Sequence, residues 1–388
     1  MSFEIDFKFD ISKYRRRIVI LSICAGLLLI ALVLKMISGS IIKKLPDELL
    51  AGRWSQDRKM AQVSLYVTED RCVEESDISR FKYMLDKKLS DEGVTDDEDD
   101  DISNLYAVGY SAQGSVTVTF ENRTAENVAA IGVGGDFFLF HPLTFVSGSP
   151  FGADDLMKDR IVIDEDLAWQ LFGSSDIVGQ SVTIEGIPHY ITGVVERGDD
   201  RMQKAAGLDK SYIYMSYDSL SKYGTISSGR TMDGAGAEDG TGSVSGGINC
   251  IQVVCPNPVD GSAARIAREC LEIDDAGVYV VDNTDRFSFF SLMKVVGQTG
   301  TRSMWGKAIY YPYWENLARG WEDTLAALLL GRVICIAAVV IIAAVIIVQA
   351  YRHKKWTVRG VARYLADKKY DFEAKKQQEK LIEGEETL

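Results

Sequence analysis

Histidine is scarce in this chain, with three residues among 388. Two of them, His141 and His189, lie between two long apolar segments, and no C-x2-C pair accompanies them. Structural zinc sites need closely spaced Cys and His ligands. Neither histidine has a convincing serine, cysteine or carboxylate partner in the sequence. We therefore predict no metal site, no cofactor and no catalytic residues, and we expect a protein that is not an enzyme.

A nucleotide-binding loop of the GxxxxGK[ST] type is also missing. The glycine-rich run at 132–136 lacks the Lys-Ser/Thr pair and the apolar helix that follow such a loop. This run instead predicts a turn before a strand-like segment at 137–140. The sequence thus predicts that the chain does not power any process with ATP by itself.

Basic residues are outnumbered, with 43 Lys and Arg against 56 Asp and Glu and a net charge of −13. An acidic protein repels nucleic acid, so we expect no nucleic-acid partner. The six consecutive acids at 96–101 lack the alternating ligands and the fixed glycine of a calcium loop. They predict a solvated turn.

The six cysteines do not form a clear disulfide framework. Two of them, Cys24 and Cys335, lie inside the apolar segments, and Cys72 lies well apart from the other three. Cys250 and Cys255 occupy one predicted strand, too far apart to bridge each other. Two alternatives stay open, since Cys270 either bonds one of this pair or all of them remain buried thiols.

The most prominent features of the sequence are two long apolar segments, at residues 18–37 and 325–351. Each is long enough to cross a membrane as a helix. No small-residue cleavage site follows the first, which favours an uncleaved anchor. Basic residues flank both segments on their outer sides, which predicts cytoplasmic termini (residues 1–17 and 352–388) and an extracytoplasmic domain at 38–324. The residues that we expect at the membrane interface are Arg15, Arg16, Arg17, Trp321, Arg332, Lys354 and Lys355.

The region between the spans contains two sets of strand, helix and strand. The first set comprises a strand at 61–67, a helix at 75–89 and a strand pair, 105–110 and 115–121, around Gln113 and Gly114. The second set lies at 248–254, 263–271 and 278–282. This order predicts an α+β fold. The α+β subdomain is split between about 55–125 and 248–305, a β-rich subdomain is inserted at about 126–222, and a flexible Gly/Ser loop covers 223–247.

Residues 161–195 form the most specific stretch of the sequence. A short strand at 161–163 leads to Asp164, which is placed to cap a helix that ends at Gly173. Gly179 then allows a tight turn into a strand, and Gly186 closes a hairpin to the returning strand at 190–195. No residue in this stretch has the character of a nucleophile or an acid–base pair.

That order of elements resembles the periplasmic core domain of MacB-like ABC transporter permeases. The resemblance covers the first span and much of the extracytoplasmic region, and it weakens after about residue 215. It implies a split α+β subdomain with a small, mostly β insertion. The positions that carry the family pattern are Asp164, Leu171, Phe172, Gly173, Val178, Gly179, Gly186 and Gly193.

The resemblance also implies a function and partners. Such permeases continue with two further spans, whereas this sequence predicts a form shortened to two transmembrane spans. We expect a non-catalytic, permease-like or accessory subunit that works with an ABC ATPase, a permease partner of the same or a different chain, and membrane lipid. It is expected to form homo- or hetero-oligomers.

An alternative of another class shares only the two-span layout. It is an oligomeric scaffold such as a polysaccharide co-polymerase, or an extracytoplasmic sensor or binding module. Co-polymerases carry a proline-rich approach to the second span, and only Pro312 lies there.

Overall fold

The computed structural model describes residues 11–55, 58–68, 71, 73–93, 105–152, 155–198, 200–228, 246–274, 277–298, 309, 311–352, 366 and 368–370. The helices are α1 (Ile11–Ile42), α2 (Leu50–Trp54), α3 (Glu75–Asp91), α4 (Phe137–Phe140), α5 (Glu165–Phe172), α6 (Arg201–Gln203), α7 (Tyr217–Tyr223), α8 (Ser262–Cys270), α9 (Phe289–Gly297) and α10 (Tyr313–Arg352). The strands are β1 (Met60–Val67), β2 (Ala107–Phe120), β3 (Arg123–Gly135), β4 (Phe145–Gly148), β5 (Arg160–Asp164), β6 (Ser181–Ile184), β7 (Ile187–Val195), β8 (Tyr212–Ser216), β9 (Thr225–Ile226), β10 (Cys250–Pro256) and β11 (Val278–Asp282). The chain divides into two compact units, Met1–Leu34 with Gly331–Leu388, and Lys35–Leu330.

The first unit is built from the apolar parts of α1 and α10. The segment Ile18–Ile42 has a mean hydropathy of 2.8, and the most apolar part of α10 reaches 3.1. Both helices are long and apolar enough to cross a membrane. Each helix also extends beyond its predicted span, because an apolar run marks the part that suits lipid and helical backbone continues through polar residues.

Four antiparallel strands of the second unit follow the order β11-β1-β10-β2. With α3 between β1 and β2, and α8 between β10 and β11, they form the split β-α-β arrangement of ferredoxin-like domains. In α3 the buried residues recur at helical spacing, and a capping box between Glu74 and Asp77 starts the helix. Alternate residues of β1 (Ala61, Val63, Leu65, Val67) pack with the buried faces of α3 and α8 in one apolar cluster.

Strand β2 also belongs to a closed hydrogen-bonded circuit, β2-β3-β8-β5-β7-β6 and back to β2, while β4 pairs with β7 and β9 with β2 outside it. Closure is possible because β2 is long: its first part pairs with β10 and its last residues pair with β6. The residues that fill this small barrel, among them Ile163, Val182 and Ile213, belong to the same apolar cluster as α3 and α8. The fold class is α+β, as predicted, and the division into a split and an inserted subdomain stays a prediction.

The predicted strand pair around Gln113 and Gly114 is wrong. Both residues lie inside the single strand β2 and pair with Ile131 and Ala130 of β3. A Cβ added at Gly114 would lie 2.3 Å from the carbonyl oxygen of Thr225. The glycine is therefore required for the close approach of β9 and does not form a turn.

The predicted turn at 132–136 is confined to Gly135 and Asp136, and the predicted strand-like segment at 137–140 is wrong. Gly132 and Gly134 belong to β3, where a Cβ at Gly132 would meet Leu220 at 2.7 Å and one at Gly134 would meet the Tyr110 ring. The chain leaves the strand only at Gly135, whose φ is +60°. Residues 137–140 then form the helical turn α4, because this places Phe137 and Phe140, three apart, in the core.

Cys250, Cys255 and Cys270 are buried free thiols, and the part of the chain that the structure describes contains no disulfide. Three regions for which the sequence makes predictions lie outside the described residues. They are Cys72, the acidic run 96–101, and 229–245 of the predicted Gly/Ser loop.

Candidate functional site: a buried ionic cluster at the start of the last helix

Arg286, just after β11, lies at the centre of a buried group of charges. Its side chain is 4% exposed, and that of Glu315 on α10 is fully buried. Arg286 donates to both carboxylate oxygens of Glu315, from Nη1 at 2.7 Å and from Nη2 at 3.0 Å. Its Nε donates to Glu322. We call the group formed by Arg286, Glu48, Glu315, Arg319 and Glu322 the Arg286 cluster.

Helical spacing explains how α10 supplies three members of this cluster. Residues 315, 319 and 322 are four and three positions apart, so they lie on one face of the helix. Arg319 Nε donates to Glu315 Oε1 at 2.6 Å, and its guanidinium lies 3.8 Å from the centre of the Tyr311 ring. The cation is thus held by a carboxylate and by an aromatic face.

Glu48 joins the cluster from the turn Pro46–Glu48, four residues after α1 ends. Its Oε2 lies 3.5 Å from Arg286 Nη1, and neither of its oxygens has a hydrogen-bond partner among the described residues. Burial raises the pKa of Glu48 to about 8, since the attraction of Arg286 only partly offsets it and Glu315 and Asp47 raise it further. At neutral pH Glu48 is therefore largely protonated, and the other four charges of the cluster balance.

A chain of polar side chains continues from the cluster across the sheet. Asn283 accepts from Arg286 Nη1 at 3.2 Å and donates to Ser64 Oγ at 2.9 Å. Gln252 of β10 contacts the same Ser64 oxygen at 3.4 Å. Its Oε1 lies 2.6 Å from His141 Nε2, and Nδ1 of that ring lies 3.1 Å from an Asp47 carboxylate oxygen. The chain of contacts thus returns to the turn that carries Glu48.

Aromatic side chains enclose these polar groups. Trp314, 1% exposed, packs on the His141 ring with centroids 4.2 Å apart, and Phe137 lies at 5.5 Å from Trp314. The Tyr66 hydroxyl donates to Glu315 Oε2 at 3.0 Å. Because water is excluded, the electrostatic attraction between the cluster charges is stronger than at the surface.

Ion pairs fasten the segment after β11 to the first turns of α10, and the largely neutral Glu48 places the turn after α1 against Arg286. Buried ion pairs are directional, and removal of one partner leaves an uncompensated charge. Apart from Arg319, whose side chain is 21% exposed, the members of the cluster are buried, so its chemistry is electrostatic coupling of these segments. Among the described residues no group of His, Cys, Asp and Glu side chains is placed to hold a metal ion.

The residues of the predicted family pattern lie elsewhere, around α5, β6 and β7 of the barrel. Asp164 is the N-cap of α5 and accepts from the Leu167 amide at 3.1 Å. Its burial raises its pKa to about 7, partly offset by that bond and by Arg197. Gly173 ends the helix with a φ of +74°, and Gly186 forms the positive-φ turn between β6 and β7.

The other members of this pattern pack close by. Leu171 is buried, and the Phe172 ring lies 4.0 Å from that of Phe120. The Gly179 amide donates to the Ile191 carbonyl at 2.8 Å. A Cβ at Gly193 would lie 2.6 Å from the Phe145 ring, while Val178 is 45% exposed. These residues shape the barrel and contribute nothing to the Arg286 cluster.

The residues predicted for the membrane interface are only partly described. Arg15 is exposed on α1, Trp321 and Arg332 are half-buried on α10, and for Arg16 and Arg17 only the helical backbone is described. Lys354 and Lys355 lie outside the described residues.

The sequence did not predict the Arg286 cluster because the residues that meet in it come from distant parts of the chain. Arg286 and Glu315 are 29 positions apart, and His141 and Asp47 are 94 apart. One local signal was present. Glu315, Arg319 and Glu322 share a helical face just before an apolar segment, which indicates charges with partners outside the helix.

Comparison with known proteins identifies the family. The family model described as "MacB-like periplasmic core domain" matches residues 18–265. The chain belongs to this family. With its two apolar helices it is a membrane protein that carries an extracytoplasmic domain.

The similarity to individual proteins is limited to a short stretch of sequence or to low sequence identity. The "Macrolide export ATP-binding/permease protein MacB" of Chromobacterium violaceum is 33% identical over 75 residues, which are 19% of this chain and 12% of that relative's length. The periplasmic region of MacB from Actinobacillus actinomycetemcomitans is similar with a TM-score of 0.38 and 14% identity, over 61% of this chain and 93% of that one. The extracellular domain of the noncanonic ABC-type transporter YknZ from Gram-positive bacteria has a TM-score of 0.35 and 16% identity, over 57% and 99%.

Proposed function

We propose that this chain is a non-catalytic membrane subunit of a MacB-like ABC transporter system. It acts with an ATPase subunit and with a permease partner, which is a second copy or a different chain. Membership of the MacB-like periplasmic core domain family over residues 18–265 supports this role. The name of the Chromobacterium relative combines ATP binding with a permease. Since the family match is to the periplasmic domain, we assign the extracytoplasmic part of that work to this chain.

The observation that carries the mechanism is the Arg286 cluster. It joins the turn that follows α1 and the first turns of α10 to the segment after β11. In the proposed mechanism the ATPase moves the membrane helices, and the cluster passes that motion to the sheet. Buried, balanced charge pairs suit this task because separating them in a dry interior is costly.

The proposal includes an orientation. Both termini are assigned to the cytoplasm, where an ATPase acts, and the basic residues that flank the apolar segments support this assignment. The alternative scaffold function has no structural observation of its own in its favour.

Recovery of partners tests the proposed class. The full chain with a C-terminal tag is extracted in a mild detergent, and the proteins that co-purify are identified by mass spectrometry. An unrelated two-span membrane protein with the same tag is the control bait. We expect an ABC ATPase with the chain and not with the control, and its absence from repeated gentle extractions contradicts the proposal.

Hydrogen exchange of the purified complex tests the coupling role. ATP is expected to change amide exchange in residues 278–297, next to the cluster. Arg286→Met should abolish this change while the complex stays assembled, whereas Arg80→Gln, which breaks an exposed ion pair, should preserve it. An equal response to ATP in Arg286→Met excludes the cluster as the coupling element.

A further inference from the structure

A groove of about 360 Å³ is lined by residues that follow the first apolar segment and by residues of α10 that precede the second, between the chain after α1 and the first turns of α10. Its floor is apolar. Leu317 of α10 is buried against Leu45 and Ala206, and Met202 and Trp321 pack partly buried against them. Such a floor suits hydrocarbon and the indole ring better than a small hydrated ion.

The rim of the groove is cationic. Lys43 and Lys44 are exposed, and neither ammonium group has an ion-pair or hydrogen-bond partner within the described ranges. The acidic residue that lines the groove, Asp200, is engaged locally, because its side chain caps α6 by accepting from the Gln203 backbone. With two lysines against one aspartate, the lining of the groove carries a net positive charge.

In the sequence, the groove residues lie next to the ends of the apolar segments that face the extracytoplasmic domain. Lys43 directly follows the apolar segment Ile18–Ile42. Trp321 lies four residues before the apolar run at 325–351. Lysine and tryptophan at the ends of apolar helices are typical of the headgroup region.

We propose that this groove binds the headgroup of an anionic phospholipid from the extracytoplasmic leaflet. Lys43 and Lys44 hold the phosphate as point charges, and Trp321, Met202 and Leu317 contact the glycerol and the first acyl carbons. The inference goes beyond the transport role. It concerns this chain alone and holds whether or not an ATPase partner exists.

Native mass spectrometry of the full chain in detergent tests the proposal. The protein is titrated with phosphatidylglycerol and with phosphatidylcholine of the same acyl chains. We expect the anionic lipid to bind preferentially, with a preference that falls as salt rises. Equal binding of the two lipids by the wild-type chain overturns the proposal without any variant.

Charge variants locate the site. Lys43→Gln with Lys44→Gln should weaken phosphatidylglycerol binding at least roughly tenfold. The matched control is Lys82→Gln with Lys87→Gln, which removes the same charge from α3 and should leave binding within about twofold. An equal loss in both variants assigns binding to net charge and overturns the site. Unchanged elution and circular dichroism check that each variant is folded.

Competition with inorganic phosphate tests whether the groove binds a lipid headgroup or a soluble anion. The proposal expects phosphate at millimolar concentration to leave lipid binding nearly unchanged, since the apolar floor contributes only with the lipid. If phosphate alone displaces phosphatidylglycerol at equal concentration, the groove is a soluble-anion site and the lipid proposal is wrong.

Discussion

Arg286 and Arg80 both form ion pairs with glutamates, yet their surroundings differ completely. The Arg286 and Glu315 side chains are 4% and 0% exposed, whereas those of Arg80 and Glu272 are 64% and 55% exposed. Exposed pairs contribute little to stability because water and salt screen them. In a buried pair, loss of one partner leaves the other charge without water or a counter-ion.

We therefore expect Arg286→Met to lower the free energy of unfolding by about 3–5 kcal/mol, because Glu315 and Glu322 lose their shared cation. Arg80→Gln should change it by no more than about 1 kcal/mol. Urea unfolding in mild detergent, followed by tryptophan fluorescence, measures both. The double variant Arg286→Met with Glu315→Leu should recover part of the loss, and similar small effects for both single variants contradict the buried pairing.

The protonation of Glu48 leads to a prediction about pH. Its pKa rises from 4.5 to about 8 in the folded protein, where Arg286, Glu315 and Asp47 face it. A carboxyl with a raised folded-state pKa stabilises the fold fully below its unfolded pKa, and this contribution is lost as pH rises through the folded value. Between pH 6 and 9 the free energy of unfolding should therefore fall as pH rises.

Glu48→Gln should remove most of this fall in the free energy of unfolding. For a single carboxyl the fall is at most about 1.4 kcal/mol per pH unit. Asp164, whose pKa is raised to about 7, also lowers the free energy of unfolding as pH rises, and this effect remains in the variant. Unfolding curves at a series of pH values measure the slope, and Glu272→Gln at the surface is the control. An unchanged slope in Glu48→Gln means that Glu48 is already ionised at pH 6.

At the scale of elements, α5 shows how one helix is delimited by its own sequence. Asp164 accepts the free amide of Leu167 at the start, and Gly173 takes a left-handed conformation at the end. A Cβ at Gly173 would meet nothing within 4 Å, so a substitution there affects only backbone conformation.

Gly173→Ala should therefore cost about 1–2 kcal/mol of unfolding free energy. Gly297, the last residue of α9, also has open space around its Cβ position but no positive φ. Gly297→Ala is thus the matched control, expected to be neutral or slightly stabilising. Thermal melts of the two variants compare them, and equal melting temperatures contradict the backbone explanation.

The element predictions failed where a glycine was interpreted without its neighbours. Gly114 and Gly132 lie inside strands because Thr225 and Leu220 of distant segments pack against them. A glycine in a sequence signals either a turn or a close approach, and only the packing partner decides between these. Glycines with a backbone role, such as Gly173 and Gly186, were placed correctly because their reason is local.

At the scale of the whole molecule, the proposed orientation is directly measurable. Tyr83 on α3 is 67% exposed in the unit Lys35–Leu330, and Gln377 lies after the second apolar segment. In a background with Cys72→Ser, a membrane-impermeant maleimide should label Tyr83→Cys in intact cells. Gln377→Cys should react only after permeabilisation. The reverse pattern contradicts cytoplasmic termini.

The sequence by itself determined the apolar segments, the helices α3, α5 and α8, the α+β class and the family, because these depend on composition, periodicity and local capping. Tertiary structure alone decided the barrel closure through β6 and the Arg286 cluster. Both join residues that are distant in the chain: β2 with β6, and Glu48 and Arg286 with α10. The reason is physical. A charge buried in a protein needs a partner in space, and no local pattern records which distant segment supplies it.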